Sequence, residues 1–461
     1  MIKQDVYDEV LRLEPLCRKT ARWLWKHPEL SRCEKESANY MRKLLLKEGF
    51  TIVNSQRLPH AFYAEYGKGS PVIAVLGEYD ALPELSQDAV PERCPTEAGA
   101  PGHGCGHNLL GAAAATGAIA IRRILEKSDI PGTIRFYGCP QEELLDGKVY
   151  MIKEGMFDGC DAALSWHPMD ATMTHDRAYL ASTTMKFYFR GISSHAAFAP
   201  ERGRSALDAV ELMSVGCNYL REHVVDKTRI HYTTDSGGFA PNIVPDKASA
   251  WYYVRAPYIS DVKDTATRVE HVAEGAAMMT DTTVKVEHGS CCCEFKENNA
   301  FADLTYANLI EADGPKFTAE EIKFAEALQK TIADGIVADS RKAYGMDNAS
   351  VFMGVGNREL CEKNMMTASS DTGDVSYYIP TGLFTVACWP IGCAPHTWQA
   401  TASAGSTLGE KGSVYAAKVI AGTAWDLLTQ PEALNKIVKE FASRNDGTYQ
   451  PLTGDQEDRT R

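Results

Sequence analysis

The stretch GHGCGHNLLGAAAATGAIAIRRIL, residues 102–125, places a glycine-framed turn directly before a long apolar segment. The turn holds His103, Cys105 and His107, and the apolar pattern after it predicts a helix over 107–127. Three interpretations of the turn compete: a buried turn that holds these side chains by chance, a nucleophilic cysteine with a histidine base, and a metal site. The segments on either side of the turn predict the fold and narrow this choice.

Apolar strands alternate with helices on both sides of the turn. The segments with the continuous apolar core of a buried strand are PVIAVLGEYDAL (71–82), GTIRFYGCP (132–140), CDAALSW (160–166) and LFTVACWP (383–390). This alternation predicts an α/β fold in which helices cover both faces of a mixed, mainly parallel sheet. Further along, TAEE at 318–321 has the spacing of a capping box, with Thr318 as N-cap, and predicts a helix over 319–335.

A different pattern occupies residues 182–290. Its predicted elements follow the order β-α-β-β-α-β, which is the split βαβ arrangement of ferredoxin-like α+β domains. We therefore expect an inserted domain over 182–290. The remainder, 1–181 and 291–461, is then one discontinuous domain that carries the candidate site.

The bulk composition limits the partners of the chain. A net charge of −13 without any Lys/Arg-rich run argues against nucleic acid or an anionic membrane as a main partner. The sequence contains no apolar run long enough to cross a membrane, and its first residues lack the apolar region of a secretory signal. The 13 cysteines are irregularly spaced, so we expect reduced thiols in a cytoplasmic protein.

Chemically useful side chains follow four of the predicted buried strands. Asp80 ends the first, the pair Glu142 and Glu143 follows the second, and His167 and His396 follow the other two. An isolated pair of glutamates is more often a solvated loop, and a lone histidine is more often structural. Chance is a weaker explanation for such residues at four strand ends than at one. The carboxyl ends of parallel strands meet at one edge of a sheet, and α/β folds build their sites at this edge.

The turn at 102–111 would lie at the same edge. It adds Cys105 and His107 to Glu143, His167 and His396, a set with one thiolate, three imidazoles and one carboxylate. A single tetrahedral site needs only three or four ligands, so the set suits two metals that share a bridging ligand, as in hydrolytic centres. A cysteine nucleophile stays open as an alternative, but it leaves the glutamate pair and the additional histidines unexplained.

These motifs resemble a known family. GHGCGHN, the EE pair after a strand, WHP at 166–168 and PHT at 395–397 are similar to motifs of the aminoacylase/carboxypeptidase-type dinuclear metallohydrolases. GRSALDAV, GGFAPN, VRAP and TGDVS also look like the branch of the bacterial p-aminobenzoyl-glutamate hydrolase B subunit. The resemblance covers nearly the whole chain, and the motifs are specific only in combination.

The resemblance implies two divalent metal ions per subunit, Mn or Zn. In that family pattern Cys105 is the bridging ligand, His107 and His167 complete one metal, and Glu143 and His396 complete the other. Glu142 is implied as the general base, which takes a proton from the attacking water and passes it to the leaving amine. Asp80 is expected to contact these ligands without binding a metal itself.

The resemblance also assigns roles to the inserted domain. It implies a homodimer formed through 182–290, and it leaves room for a related second subunit. His195 would reach across the dimer to stabilise the oxyanion, and Asn242 and Arg255 would bind the substrate. The alternatives are a surface histidine for His195 and a structural salt bridge for Arg255.

The expected function is metal-dependent hydrolysis of an amide bond in a small N-acyl or N-aminoacyl amino acid, such as an aminobenzoyl-glutamate or a dipeptide. The alternatives are a non-catalytic or partner-dependent subunit and a cysteine-dependent acyl transferase. Two departures from the family pattern stand out. Leu144, Leu145 and Asp146 follow Glu143 where the branch has small residues, and the run Cys291–Cys292–Cys293 has no functional account and is interpreted as packing.

Overall fold

The computed structural model describes residues 1–174, 179–359, 368–444, 447 and 449–451. They divide into two compact units. The first contains the described residues of 1–177, 296–365 and 375–449, and the second those of 178–295, 366–374 and 450–461. The predicted insertion at 182–290 lies in the second unit, which also includes 291–295 and 368–374. The predicted domain boundaries and roles stay predictions.

A mixed sheet forms the centre of the first unit. Its strands are β1 (Thr51–Asn54), β2 (Phe62–Lys68), β3 (Val72–Glu78), β4 (Gly132–Cys139), β5 (Ala162–Met169), β6 (Met173–Thr174) and β11 (Thr381–Ala387). They lie in the order β1-β2-β4-β3-β5-β11-β6. The central strands β4, β3, β5 and β11 run parallel, whereas β1, β2 and β6 are antiparallel to their neighbours. The predicted α/β class with a mainly parallel core is confirmed.

Helices connect these strands. The α-helices in the described part of the chain are α1 (Lys3–Lys26), α2 (Lys35–Lys47), α3 (His107–Glu126), α4 (Gly147–Lys153), α5 (Ala206–Leu220), α6 (Ile259–Met279), α7 (Asn299–Glu311), α8 (Ala319–Gln329), α9 (Asp334–Tyr344), α10 (Thr372–Tyr378), α11 (Trp398–Ala404), α12 (Thr407–Thr429) and α13 (Pro431–Arg444). Thr318 caps α8 through the predicted capping box. The predicted helix over 319–335 is wrong in length, because α8 ends at Gln329 and α9 begins only at Asp334.

The helix α3 is the centre of the core of the first unit. It packs against α1, α12 and β3, and its alanine-rich surface is buried on nearly all sides. By length and composition α3 could cross a membrane. However, 89% of its most apolar 18-residue segment is buried inside the protein, as in the core helix of a globular protein. A Cβ on Gly111 would lie 2.5 Å from the carbonyl oxygen of Glu78, so only glycine lets the first turn of α3 approach the end of β3 this closely.

The second unit is built on an antiparallel sheet. Its strands are β7 (Ala181–Arg190), β8 (Arg229–Ser236), β9 (Lys247–Ala256) and β10 (Thr283–Cys292), in the order β10-β7-β9-β8. The helices α5 and α6 pack on this sheet, and Val269 of α6 shares a core with Phe187 and Tyr252 of the sheet. With the chain order β7-α5-β8-β9-α6-β10, the predicted ferredoxin-like arrangement is confirmed.

The cysteine run lies at the end of β10. Cys291, Cys292 and Cys293 are buried, and the backbone N–H of Cys293 donates to Asp374 Oδ2 at 2.9 Å. The described cysteines are free thiols. Burial raises the pKa of each of the three thiols above its usual value, which agrees with a packing role.

Gly106, the residue before α3, gives the first test. Its φ of 75° lies in the left-handed region, and an added Cβ would lie 2.6 Å from Pro168 Cγ. Gly106→Ala should therefore destabilise the first unit by roughly 2–5 kcal/mol, from about 1–2 kcal/mol of backbone strain plus about 1–3 kcal/mol of overpacking. The measurement is the urea or thermal midpoint of unfolding.

Gly99→Ala is the matched control for this substitution. Gly99 has a φ of 76° but nothing within 4 Å of an added Cβ, so it should show only the strain of about 1–2 kcal/mol. Equal shifts of the midpoint for the two variants would contradict the close packing assigned to Gly106.

Candidate metal centre

The carboxyl ends of the parallel strands place the predicted site residues at one edge of the sheet. Asp80 follows β3, and Glu142 and Glu143 lie in a short 3-10 helix, Glu142–Leu144, after β4. His167 lies within β5, and His396 follows β11. Because β3, β4, β5 and β11 are parallel neighbours, all these side chains come to the same edge.

The glycine-framed turn brings two more side chains to this edge. The left-handed Gly106 separates Cys105 from His107, which is the first residue of α3. His103 points elsewhere: its Nε2 lies 3.1 Å from the carbonyl oxygen of Leu24, and burial lowers its pKa to about 3. His103 is therefore a buried structural residue of the turn.

The turn also holds His396. The backbone N–H of His396 donates to the carbonyl oxygen of Gly104 at 2.9 Å, and His396 has a left-handed φ of 63°. Its side chain is about half exposed, at 54%, whereas His107 is fully buried. One end of the candidate centre is thus in the core and the other is open.

Two sets of ligand atoms share the sulfur of Cys105. One set is Cys105, His107 and His167, the other is Cys105, Glu143 and His396, and the atoms of each set lie within 4.8 Å of one another. Cys105 Sγ lies 3.4 Å from His167 Nε2, and Glu143 Oε2 lies 3.4 Å from His396 Nε2. The five predicted ligands therefore form two adjoining groups around one thiol.

The donor atoms have the orientation that a cation requires. Nδ1 of His107 donates to Asp80 Oδ1 at 2.9 Å and Nδ1 of His167 donates to the carbonyl of Pro168 at 2.8 Å, so both rings present Nε2 to the centre. Nε2 of His107 and Oε1 of Glu143 are buried and find no hydrogen-bond partner among the described residues. Buried polar atoms are rarely left in this way, and the donor set fits two divalent cations that share Cys105.

Burial shifts the titration of these ligands. It raises the pKa of the Cys105 thiol well above its usual value and that of Glu143 to about 7. Burial lowers the pKa of His167 to about 4, so this imidazole is neutral at pH 7. Burial also opposes a charge on His107, but Cys105 and Asp80 together raise its pKa well above the ordinary value. Without a cation, the centre therefore retains protons.

Glu142 lies beside His107 but belongs to neither of the two sets that share the thiol. Its side chain is 9% exposed, and its Oε2 lies 3.7 Å from His107 Nε2. Burial raises the pKa of Glu142 well above its usual range, and the nearby carboxylate of Glu78 raises it further. A buried carboxylate with a raised pKa next to a candidate metal centre has the environment of a general base.

The sequence interpretation missed a buried ion pair. Lys148 Nζ lies 2.6 Å from Glu78 Oε1, and both side chains are fully or almost fully buried. Glu78 Oε2 lies 3.4 Å from His107 Nε2, and Glu78, His107 and Glu142 form a third group of close ligand atoms. Glu78 ends β3 two residues before Asp80, so the strand-end argument could have found it. Lys148 carries no such signal, because its position in α4 looks like an ordinary surface lysine.

The second unit contains the remaining predicted site residues. His195 is exposed, and its Nδ1 accepts backbone N–H bonds from Ala197 at 3.2 Å and Phe198 at 3.1 Å, which leaves its proton on Nε2. The backbone N–H of Ala196 donates to the carbonyl of Asn242 at 3.0 Å. His195 and Asn242 are therefore neighbours on one side of this unit.

Arg255 lies elsewhere in the second unit. It is near the carboxyl end of β9, whereas Asn242 precedes the start of that strand. Its Nη1 donates to Ser369 Oγ at 3.0 Å, and its guanidinium lies over the ring of Tyr253 at 5.9 Å. The structure thus does not bring Arg255 together with His195 and Asn242 within this unit, and within the described ranges Arg255 forms a hydrogen bond and no salt bridge.

Comparisons with known proteins agree with this geometry. The family model of the peptidase dimerisation domain of M20 proteins matches residues 181–278. The B subunit of p-aminobenzoyl-glutamate hydrolase from Escherichia coli is 40% identical over 439 residues, which cover 92% of this chain and 91% of that protein. The Xaa-Arg dipeptidase of Mus musculus is 28% identical over 439 residues, covering 91% and 88%.

Solved structures show the same fold. A putative aminohydrolase from methicillin-resistant Staphylococcus aureus superposes with a TM-score of 0.67 at 17% identity, covering 93% of this chain and 100% of that one. A dinuclear metal-binding peptidase of the M20 family from Bacillus subtilis gives a TM-score of 0.59 at 18% identity, covering 91% and 99%. Given the extent of the identity to the E. coli protein, this chain belongs to the M20 family of metallopeptidases and related amide hydrolases.

Proposed function

We propose that this protein hydrolyses the amide bond of a small N-acyl or N-aminoacyl amino acid that carries a free carboxylate. The observation that carries the proposal is the sulfur of Cys105, which is shared by two sets of metal-ligand atoms beside the buried carboxylate of Glu142. A p-aminobenzoyl-glutamate-like compound or a dipeptide is the proposed substrate, in line with the names of the E. coli and mouse relatives.

The proposed cofactor is a pair of divalent ions, Mn or Zn. Cys105 would bridge them, His107 and His167 would hold one, and Glu143 and His396 the other. When bound, such a pair polarises a carbonyl and makes water a stronger acid near neutral pH. A thiolate ligand favours Zn over Mn, because sulfur is a soft donor. The resemblance to the aminobenzoyl-glutamate branch favours Mn instead.

Glu142 would move the proton. Its carboxylate accepts a proton from the attacking water, and the same group then donates that proton to the leaving amine nitrogen as the C–N bond breaks. The raised pKa of Glu142, which comes first from burial, suits both steps because the group can hold the proton between them. The products are a carboxylic acid and an amine. One water molecule is consumed for each C–N bond broken, with its OH on the acid and its remaining hydrogen on the amine.

The second unit would complete the substrate site. His195, whose Nε2 carries the proton, is suited to donate a hydrogen bond to the oxyanion. We propose that it does so across a homodimer formed through the second unit, and that Asn242 contacts the substrate near it. Arg255 is proposed to bind the substrate carboxylate in a bidentate contact, since its bond to Ser369 uses only one of the five N–H donors of the guanidinium.

We further propose that the protein works in the cytoplasm, and that a related second subunit is an additional assembly partner. The E. coli relative is named as a subunit, which supports the second point. If such a partner is required, the isolated chain is inactive until the partner is added.

Metal removal tests the proposed function. Dialysis against a chelator should abolish release of amine from acyl-amino acids and dipeptides, and Mn²⁺ or Zn²⁺ should restore it. Activity that survives the chelator would identify a cysteine-dependent enzyme instead. If the metal-loaded chain binds its ions but hydrolyses no member of the panel, a non-catalytic or partner-dependent subunit is the better account.

The adjacent glutamates provide a matched pair of variants. Glu142→Gln should lower kcat by about 10²–10⁴-fold, because the proton acceptor is lost, while the absorption spectrum of the Co²⁺-loaded protein stays as in the wild type. Glu143→Gln should change that spectrum and weaken metal binding, because it removes a ligand. The role of Glu142 is refuted if both variants alter the Co²⁺ spectrum in the same way.

Metal affinity should rise with pH. Ligands bind a cation only in their deprotonated forms, and burial raises the pKa of the Cys105 thiol, so binding must release its proton at pH 7. Each proton displaced in this way makes the apparent affinity fall about tenfold for every unit by which the pH is lowered below the pKa of the group. An indicator dye in weak buffer measures the release directly.

Cys105→Asp is the control for this measurement. Burial would raise the pKa of an aspartate in this position too, but from about 3.9 instead of about 8.5, so the variant should bind the ions with less proton release than the wild type. Equal release from the two proteins would show that Cys105 is not a metal ligand.

A further inference from the structure

The short turn that carries Glu142 has an unfavourable backbone. The 3-10 helix Glu142–Leu144 lies between two non-glycine residues in the left-handed region, Gln141 with a φ of 63° and Leu145 with a φ of 58°. Side chains other than glycine are strained in this region, and such residues persist only when the surrounding structure holds them in place. The contacts around the turn must therefore stabilise it.

Two buried carboxyl groups bind the backbone of this turn. The N–H of Glu143 donates to Asp80 Oδ2 at 2.9 Å, and the N–H of Gln141 donates to Glu34 Oε1 at 2.8 Å. Asp80 therefore holds the side of the turn that carries the ligand Glu143. Glu34 holds the residue directly before Glu142.

Glu34 comes from the loop between α1 and α2, residues 27–34. This loop is fixed to the end of β3, because Ala81 donates its N–H to the carbonyl of Glu29 at 2.8 Å and Ser31 Oγ donates to Asp80 Oδ2 at 2.8 Å. The carboxyl of Glu34 therefore starts from a backbone that is anchored to the central sheet.

The burial of Glu34 is costly in itself. The side chain has no solvent exposure, and Oε2 has no hydrogen-bond partner. Burial, with a contribution from Asp80, raises the pKa of Glu34 to about 8, so the carboxyl is neutral at pH 7. An apolar side chain would fill this space at lower cost, and the hydrogen bond from Gln141 is the contact that distinguishes a carboxyl there.

We propose that Glu34 is a positioning residue that holds Gln141 in its left-handed conformation and thereby fixes the carboxylate of Glu142. The proposal rests on the role of Glu142 in the proposed function. A misplacement of about 1 Å at a reacting group costs about 10²-fold in rate. Because Asp80 holds Glu143 independently, loss of the Glu34 contact should affect the proton transfer more than the metal ligands.

The test compares Glu34→Leu with Glu34→Gln. Leucine is similar in size but accepts no hydrogen bond, whereas the glutamine oxygen still accepts one and matches the neutral carboxyl. Glu34→Leu should lower kcat by about 10–100-fold, with KM within about threefold of the wild type and an unchanged Co²⁺ spectrum. Glu34→Gln should keep kcat within about threefold of the wild type. If Glu34→Leu fails to fold, Glu34→Ala replaces it.

Asp161→Ala is the matched control. Asp161 Oδ2 also accepts a backbone hydrogen bond, from Val72 at 2.7 Å, but at the opposite edge of the sheet, where β3 and β5 begin. This variant should lower the thermal midpoint without changing kcat. If Asp161→Ala lowers kcat as much as Glu34→Leu does, a general loss of stability explains both and the proposal is overturned.

Amide hydrogen exchange provides a measurement that does not need activity. Exchange in the segment 141–145 should accelerate in Glu34→Leu but not in Glu34→Gln or Asp161→Ala. Unchanged exchange in Glu34→Leu, or equal loss of kcat in the leucine and glutamine variants, overturns the proposal. If the wild type is inactive on every substrate, the proposed function fails, while the exchange data still decide whether Glu34 holds the turn.

Discussion

The carboxylate of Asp80 joins three segments that are distant in the sequence. It accepts hydrogen bonds from Nδ1 of His107 at the start of α3, from the N–H of Glu143 after β4, and from Ser31 Oγ between α1 and α2. Burial alone would favour the neutral acid, but His107 and the other donors lower the pKa of Asp80 below its usual value. One ionised carboxylate therefore sets the ring orientation of one candidate ligand, His107, and the backbone position of another, Glu143.

The charges around Asp80 explain why the centre suits cations. Glu78, Glu142, Glu143 and the thiol of Cys105 are all largely buried in the same region, and Lys148 is the one lysine that forms a described ion pair with them. Burying more acidic groups than cationic ones is unfavourable, so in the absence of metal some of the acidic groups retain protons. Divalent ions would replace these protons and stabilise the same arrangement, which couples metal binding to the stability of the first unit.

The sequence predicted the parts of this protein that follow from periodicity. The parallel strands were visible as apolar runs, and the strand-end argument selected Asp80, Glu142, Glu143, His167 and His396, which the structure brings to one edge. Glu78 was overlooked although it shares a strand end with Asp80. Glu34 and Lys148 could not be found, since their importance comes from tertiary contacts that leave no pattern in the sequence. Helices without a clear apolar pattern also escaped prediction from the sequence. In α7 the buried residues include Thr305 and Asn308 as well as apolar ones, so no apolar stripe marks this helix.

The spread of the site along the chain has a consequence for biosynthesis. Glu34 and Ser31 are made early, the turn with Cys105 and the glutamate pair follow, and His396 is made near the end. Because chains fold from the amino terminus as they leave the ribosome, Glu34 and Ser31 exist before the candidate ligands, and His396 arrives after the strands of the second unit have been synthesised. A nascent or truncated chain that ends before His396 therefore lacks one member of the candidate centre.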